Sequence, residues 1–406
     1  MNRHLRRRWI GLLGVLLFAA CARQPELPRC TAPEDNPPHH YTRGMTSIET
    51  NNLDDARTKL NRAVQCDERY APAHAGLALI HALQATRQAN AGYRQADTTQ
   101  ALDALKQAKR YSKTPEARFS YHTTAIRVYT ALHGEDWLDD AQDHYRKSQD
   151  LQPDASKLPY YQGREAASYF MGLAYFRGAH DFSRARDLFR QVLDAKREGK
   201  WHEKADTAWR KADKVSRATA GITIGNVARK IALQDDVSRG DLAALLIDEV
   251  KIDQLFAGRI PVQSQVKAQQ ASFTPADVLE HPFKQEILTL MKWNVRGLEP
   301  QYDPTTTANL FHPNQAVSRK ALAIVLEDIV IKLTGDEALA SKFLGQNASP
   351  FPDVTPTVSW FNAAMTAVTR NLMEAGLSGE FRPDESADGA EVLLATRMLK
   401  QRLNLY

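Results

Sequence analysis

The sequence has no apolar run long enough to cross a membrane. Its most apolar stretch, residues 9–18, holds about ten residues, whereas a helix needs about 20 to span a hydrocarbon core about 30 Å thick. A basic excess is also missing. Four of the 53 basic residues, Arg3, Arg6, Arg7 and Arg8, precede that stretch, and the other 49 nearly balance 48 acidic residues. Because nucleic-acid binding needs a basic face, the composition predicts no nucleic-acid partner.

Recognisable catalytic patterns are missing as well. His202-Glu203 is followed by Ala205 and Asp206, and not by the second histidine of a metalloprotease helix. The sequence contains neither a Walker-type phosphate loop nor a Gly-x-Ser-x-Gly elbow. We therefore expect no catalytic residue, no metal site, no cofactor and no enzyme activity. The hydrophobic content of 43% is ordinary for a globular protein with a packed core.

The first twenty residues read as a secretory signal. A basic segment precedes the apolar stretch, and the signal ends Phe18-Ala19-Ala20-Cys21. Small residues before a cysteine resemble the bacterial lipobox, although Phe18 stands where that signal usually has leucine. The resemblance implies cleavage before Cys21 and a lipid on its thiol, and Ala22 implies an outer-membrane anchor that faces the periplasm. A plain secretory signal cleaved near Ala20 is the alternative.

Residues 21–39 contain five prolines, which remove backbone donors and favour extended chain. They are predicted to form a flexible spacer. Cys30 in this spacer and Cys66 on a predicted helix can pair in an oxidising compartment. The disulfide would close a loop of about 36 residues and stabilise the fold by roughly 3–4 kcal/mol. Two unpaired thiols are the alternative, because geometry decides the pairing and the sequence does not.

Residues 40–218 show one amphipathic helix after another. A small residue is followed four positions later by a large one and then, three positions on, by a small or medium one. This pattern occurs at Ala56-Leu60-Ala63, Ala101-Leu105-Ala108, Ala141-Tyr145-Ser148 and Ala185-Phe189-Val192. The spacing resembles the second helix of a tetratricopeptide repeat. It implies an α-solenoid of three or four helix pairs, whose concave face receives an unidentified protein. A generic helical bundle is the alternative.

The C-terminal part contains two similar stretches and a truncated third. One stretch runs from Phe351-Pro352-Asp353-Val354 to Phe381-Arg382-Pro383-Asp384, and a helix start follows at Asp388-Gly389. Another runs from Phe273 and Asp277-Val278 to Phe311-His312-Pro313-Asn314, and a helix start follows at Ser318-Arg319. The truncated third keeps the helix start at Ser238-Arg239. These motifs resemble S-layer-homology repeats, at about 219–256, 273–335 and 351–406. The resemblance implies a pseudo-threefold helical domain that binds peptidoglycan or a secondary cell-wall polymer of acidic character.

The resemblance also names candidate ligand residues. By position, Arg239 and Arg319 match an arginine at the family's helix starts, where it can pair with a glycan carboxylate beside exposed backbone N–H groups. Gly389 replaces the third arginine, and Arg382 is a candidate to compensate for it. Trp360 is a candidate platform for sugar stacking. The structural alternatives are arginines paired within the fold and a tryptophan in the core.

The sequence thus predicts a mainly α protein: a lipoprotein signal at 1–20, a spacer at 21–39, tetratricopeptide-like repeats at 40–218 and S-layer-homology-like repeats at 219–406. Its predicted role is an envelope tether or scaffold, held to the membrane by lipid, to the wall by the C-terminal repeats and to a protein by the middle. The alternative is an accessory factor for envelope assembly or secretion, in which the C-terminal repeats are only structural.

Overall fold

The computed structural model describes residue 30 and residues 32–195, 199–220, 224–259 and 273–402. The predicted signal and the lipidation residue Cys21 lie outside these ranges. Within them, no helix combines the length and the apolar character that crossing a bilayer requires. The predicted mainly α architecture is confirmed over the described residues.

Four helix pairs and a further helix make up the described residues between 37 and 219. They are α1 (Pro37–Glu49) with α2 (Leu53–Cys66), α3 (Ala71–Ala85) with α4 (Ala91–Tyr111), α5 (Pro115–Leu132) with α6 (Trp137–Gln149), and α7 (Glu165–Leu173) with α8 (Phe182–Asp194), followed by α9 (Lys200–Thr219). The predicted small–large spacing packs each pair. Leu60 of α2, for example, occupies the space that Gly44 of α1 leaves, where a Cβ atom would lie 2.7 Å from its Cγ.

The first helix begins at Pro37, before the predicted end of the spacer. Asn36 caps it, since its side chain accepts a hydrogen bond from the His39 amide at 2.9 Å. Pro37 and Pro38 fit the first turn, where a helix leaves its N–H groups without partners in any case. The spacer boundary at residue 39 is therefore corrected, because these two prolines open a helix and do not extend the chain.

A disulfide joins Cys30 to Cys66 at the end of α2, with the two Cα atoms 5.4 Å apart. Beside it, Arg62 donates from Nε to Oδ1 of Asp35 at 2.9 Å and from Nη2 to Oδ2 at 2.5 Å. The hydrogen bonds from Arg62 and His40 lower the pKa of Asp35 to about 2. The segment before α1 is thus fixed to α2 by a covalent bond and an ion pair.

The inner side of the helical region is filled by the chain itself. Residues 158–161, between α6 and α7, are buried there apart from the partly exposed proline. The Tyr160 ring meets Tyr41 of α1 with centroids 6.1 Å apart and Trp201 of α9 at 5.8 Å. Glu49 of α1 forms ion pairs with two lysines of α9. The first and last helices of this region therefore meet around this segment, and the predicted protein partner stays a prediction.

The C-terminal region consists of short helices and one hairpin. The helices are α10 (Asn226–Ile231), α11 (Arg239–Leu245), α12 (Ile252–Arg259), α13 (Lys284–Lys292), α14 (Arg319–Thr334), α15 (Phe361–Thr369) and α16 (Gly389–Arg402), and the antiparallel strands β1 (Gln301–Asp303) and β2 (Ala308–Leu310) lie between α13 and α14. We call α10 with α11 repeat 1, α13 with α14 repeat 2, and α15 with α16 repeat 3. Helix α9 packs along α16 and so joins the two regions.

Candidate functional site

Three backbone hydrogen bonds close a ring at the centre of the C-terminal region. Val317 N donates to Val237 O at 2.8 Å, Ala387 N donates to Val317 O at 2.8 Å, and Val237 N donates to Ala387 O at 3.0 Å. Each residue lies two positions before the helix start of its repeat, and all three are buried. The ring gives the three repeats equivalent places, as the predicted pseudo-threefold arrangement requires.

The helix starts beside this ring are covered by the neighbouring repeats. Ser238 and Ser318 cap α11 and α14, as their sequence positions indicate. The next amide in each helix, of Arg239 or Arg319, donates to a carbonyl in the loop of the following repeat at 2.9 Å. Because these N–H groups already have partners, the helix starts are not open anion sites, and the geometry does not favour the predicted contact with an acidic glycan there.

The two predicted arginines hold adjacent repeats together. Arg239 is 5% exposed and donates to the carbonyls of Phe311, Gly297 and Glu299, each at 2.8 Å. These carbonyls belong to repeat 2, whereas the arginine belongs to repeat 1. Every nitrogen of the guanidinium therefore donates a bond within the protein, and burial lowers its pKa. This geometry favours the structural alternative for Arg239.

Arg319 repeats the arrangement between repeats 2 and 3. It is 1% exposed and donates to the carbonyls of Phe381 at 2.7 Å and Glu374 at 2.8 Å, and it forms an ion pair with Glu391 of α16. Burial, followed by the nearby charge of Arg382, lowers its pKa to about 10. Arg319 is thus a positioning residue, because all three of its guanidinium nitrogens bond within the protein.

Two aspartates fix the loops that receive these arginines. Asp353 accepts hydrogen bonds from the amides of Phe381 at 2.8 Å and Arg382 at 2.6 Å. Asp277 accepts from the equivalent amides of repeat 2, at 3.1 and 2.6 Å. Burial raises the pKa of Asp353, but the hydrogen bonds from the two amides lower it by more. The net shift of the pKa is therefore downward. Phe381 is fully buried, so its side chain anchors the capped loop in the core.

Arg382 and Trp360, the other two predicted ligand residues, flank this loop. Arg382 has a left-handed backbone with φ 56° and forms an ion pair with Glu385 at 2.9 Å. Trp360 is half-buried and stacks on the ring of Phe381 with centroids 6.1 Å apart. The Trp360 indole therefore supports the loop from the core side, and its predicted role as a sugar platform stays a prediction.

The third junction, between repeats 3 and 1, is closed. Gly389 holds the place of the third arginine, and its amide donates to Gln234 O at 3.0 Å. A Cβ atom on Gly389 would overlap the Ile231 carbonyl. Repeat 1 lacks the long loop that forms the arginine pockets of the other repeats, so its backbone comes directly against α16. The missing arginine is therefore a consequence of the truncated repeat.

A groove of about 800 Å³ opens where repeat 3 meets α9. One wall is the loop 374–388, which contains Arg382, and the other is the face of α9 that carries Trp209, Lys214 and Arg217. Arg217 pairs with Glu374 across the groove at 2.9 Å. Sequence reasoning missed this site, although Arg210, Lys214 and Arg217 follow the i, i+4, i+7 spacing of one helix face.

Comparison with known proteins adds one finding for this region. Residues 350–393, which include the Asp353 loop, α15 and the start of α16, match the S-layer homology domain family. This segment is an S-layer homology domain. Such domains generally bind secondary cell-wall polymers, so the match indicates an association with the cell surface or envelope. No curated protein and no solved structure matches the chain.

Proposed function

We propose that residues 224–402 bind a cell-wall polymer and that the protein has a binding role and not a catalytic one. The observation that carries the proposal is the closed hydrogen-bonded ring of Val237, Val317 and Ala387. It assembles repeats 1 and 2 around the segment that matches the S-layer homology domain. Three repeats then act as one unit, although only the third matches the family.

The groove beside repeat 3 is the site that we assign to the polymer. The helix starts are covered, and the junction at Gly389 is closed. By contrast, the groove is open to solvent and is large enough for a chain of several sugar units, since its volume of about 800 Å³ falls in the usual range for ligand sites. Arg382 lines it and is the one predicted ligand residue with a part-exposed side chain there.

We further propose that lipid on Cys21 anchors the protein in the outer membrane and that the chain tethers this membrane to the wall. Several acyl chains would hold it firmly, since each buried CH₂ contributes roughly 0.8 kcal/mol. The helical region would then act as a platform for a partner protein on its outer surfaces. A cysteine-to-alanine change at Cys21 that left the protein in carbonate-washed membranes would contradict the lipid anchor.

The polymer proposal is tested with purified sacculi and a chain that begins at residue 22. We expect this protein to sediment with sacculi and to be released by soluble wall fragments. Arg382→Asn should reduce the sedimented fraction several-fold, because asparagine tolerates the left-handed backbone but removes the guanidinium. His312→Asn is the matched control, since His312 holds the equivalent left-handed position in repeat 2 with φ 55°.

Two results would contradict this proposal. Sedimentation equal to that of an unrelated neutral protein would remove the polymer-binding role and would favour the accessory-factor alternative. An equal loss in both variants would mean that the repeat 3 groove has no special part. Circular dichroism at the assay temperature checks that both variants stay folded.

A further inference from the structure

We infer that the polymer site is shared between the two regions of the chain and takes an uncharged glycan rather than a polyanion. The inference rests on the proposed function, but it adds two elements: helix α9 of the helical region as one wall of the site, and the chemical class of the ligand. Neither follows from the S-layer homology match, which covers residues 350–393 and so excludes α9.

Helix α9 contributes a continuous face to the groove. Residues on successive turns of the helix line it, from Asp206 through Trp209 and Asp213 to Arg217. The helix is fixed there at the middle and at the C-terminal end of that face. Lys211 Nζ donates to the carbonyls of Leu233 and Gln234 at 3.0 and 2.9 Å, and Arg217 pairs with Glu374. Without α9, the repeats would therefore present an open surface on this side, and α9 adds the second wall that makes it a groove.

Three polar atoms in the walls of this groove have no hydrogen-bond partner. They are Nε1 of Trp209, Oε2 of Glu380 and Nε of Arg382. Two of them are donors and one is an acceptor, and each is shielded from solvent. Leaving such groups without partners costs free energy, which a ligand recovers when these side chains turn toward it on binding. Hydroxyl and acetamido groups, which both donate and accept, suit this mixed set.

The charges of the groove argue against a polyanion. Eight carboxylate residues and six cationic residues line it. Five of the cations are already in ion pairs: Arg210 with Asp206, Lys211 with Asp235, Arg217 with Asp213 and Glu374, Arg319 with Glu391, and Arg382 with Glu385. Only Lys214 has no ion pair within the described residues. Six of the eight carboxylates belong to these same pairs, which leaves Glu380 and Asp388, in the described part of the chain, outside any ion pair against Lys214. A chain with one negative charge per sugar would therefore meet a lining with two more carboxylates than cations, and it would be repelled.

Partly exposed Trp209 completes the match with a glycan. Its indole offers an apolar surface beside the unpartnered N–H group, and sugars present both C–H faces and hydroxyl edges. The site thus combines an aromatic surface, unpaired donors and acceptors, and nearly balanced charge. This combination selects a neutral, polyhydroxylated chain such as one built from N-acetylated amino sugars.

The test uses calorimetric titration of the chain from residue 22 with two oligosaccharides of equal length. N-acetylglucosamine hexamer is the uncharged probe, and galacturonate hexamer is the polyanionic probe. We expect the uncharged probe to bind and the polyanion to bind at least tenfold more weakly. Trp209→Phe keeps an aromatic ring but removes Nε1–H, and it should weaken binding of the uncharged probe roughly 3- to 10-fold, which corresponds to one hydrogen bond.

The matched control is Trp293→Phe, since Trp293 packs on Phe256 away from the groove and should leave the affinity unchanged. Tighter binding of the galacturonate hexamer would overturn the ligand class. An unchanged affinity in Trp209→Phe, with sacculus sedimentation intact, would overturn the shared site but leave the proposed function standing. Failure of the unaltered chain to sediment with sacculi would instead overturn the proposed function itself.

Discussion

Gly389 lies against the carbonyl of Ile231 so closely that no larger residue fits between α16 and the end of α10. The contact joins the last repeat to the first, 158 positions apart in the sequence, and it completes the junctions between repeats. Arginine side chains fill the other two junctions, whereas at this junction the backbones of the two repeats are in direct contact. The closed ring at Val237, Val317 and Ala387 lies two residues before these helix starts and joins all three repeats.

We predict that Gly389→Ala destabilises the protein by about 1–3 kcal/mol, the usual result of adding atoms to a packed contact. Gly389→Arg, which restores the arginine of the other repeats, should destabilise it further. Thermal unfolding followed by circular dichroism measures both effects. Gly134→Ala is the control, because a Cβ atom there meets nothing within 4 Å. If Gly389→Arg were as stable as the unaltered chain, repeat 1 would have to contain a pocket that the structure does not show.

The sequence predicted the helical architecture and the order of the repeats, because both rest on local periodicity. The serine caps at Ser238 and Ser318 and the buried loop residue Phe381 were also predictable, since each belongs to a short motif. The role of Arg319 was not, because an arginine at a helix start can face solvent or a neighbouring loop, and only the packing of repeats decides. The α9 wall was unpredictable for the same reason.

We predict that the two regions unfold together and that a boundary at residue 219 divides a single packed unit. Helix α9 packs on α16, and Lys211 holds the loop of repeat 1 through two carbonyls. A fragment of residues 221–406 should therefore have a lower melting temperature than a fragment of residues 199–406, which keeps α9. Differential scanning calorimetry compares the two. Equal melting temperatures would show that α9 adds nothing to the fold of the repeats.

We predict that removing the disulfide destabilises the helical region. Cys30 and Cys66 are separated by 36 positions. A disulfide that closes a loop of this size lowers the entropy of the unfolded chain, and this stabilises the fold by about 3–4 kcal/mol. Cys66→Ser and Cys30→Ser should give the same loss in urea unfolding, and the double variant should lose no more than either one. A larger loss for Cys66→Ser alone would mean that its side chain stabilises α2 by packing and not by the bond.

Helices α5 and α6 carry a pair of histidines that should make stability fall in acid. Nδ1 of His122 and Nδ1 of His144 lie 2.9 Å apart, and a hydrogen bond between them needs one donor and one acceptor, so at least one of the two rings is neutral. Burial lowers the pKa of His122 to about 4 and that of His144 to about 3. Lys147 lowers both further, and Asp143 opposes it.

In the unfolded chain both histidines titrate near their ordinary pKa of 6.5. Between that pH and about pH 4, the unfolded chain therefore binds more protons than the folded one. The free energy of unfolding must rise with pH across this window, and it must fall as acid is added.

His144→Phe keeps an aromatic ring beside Tyr121 and Tyr129 but removes one of the two titrating groups, so the free energy of unfolding should fall less steeply with acid. Urea unfolding at several values between pH 7 and pH 4 measures the slope. His74→Phe is the control, because that ring bonds the Glu68 carbonyl at the surface. An unchanged slope in His144→Phe would mean that other groups, such as the carboxylates and the partly buried His81 and His180, set the acid response, and the paired rings would then have only a packing role.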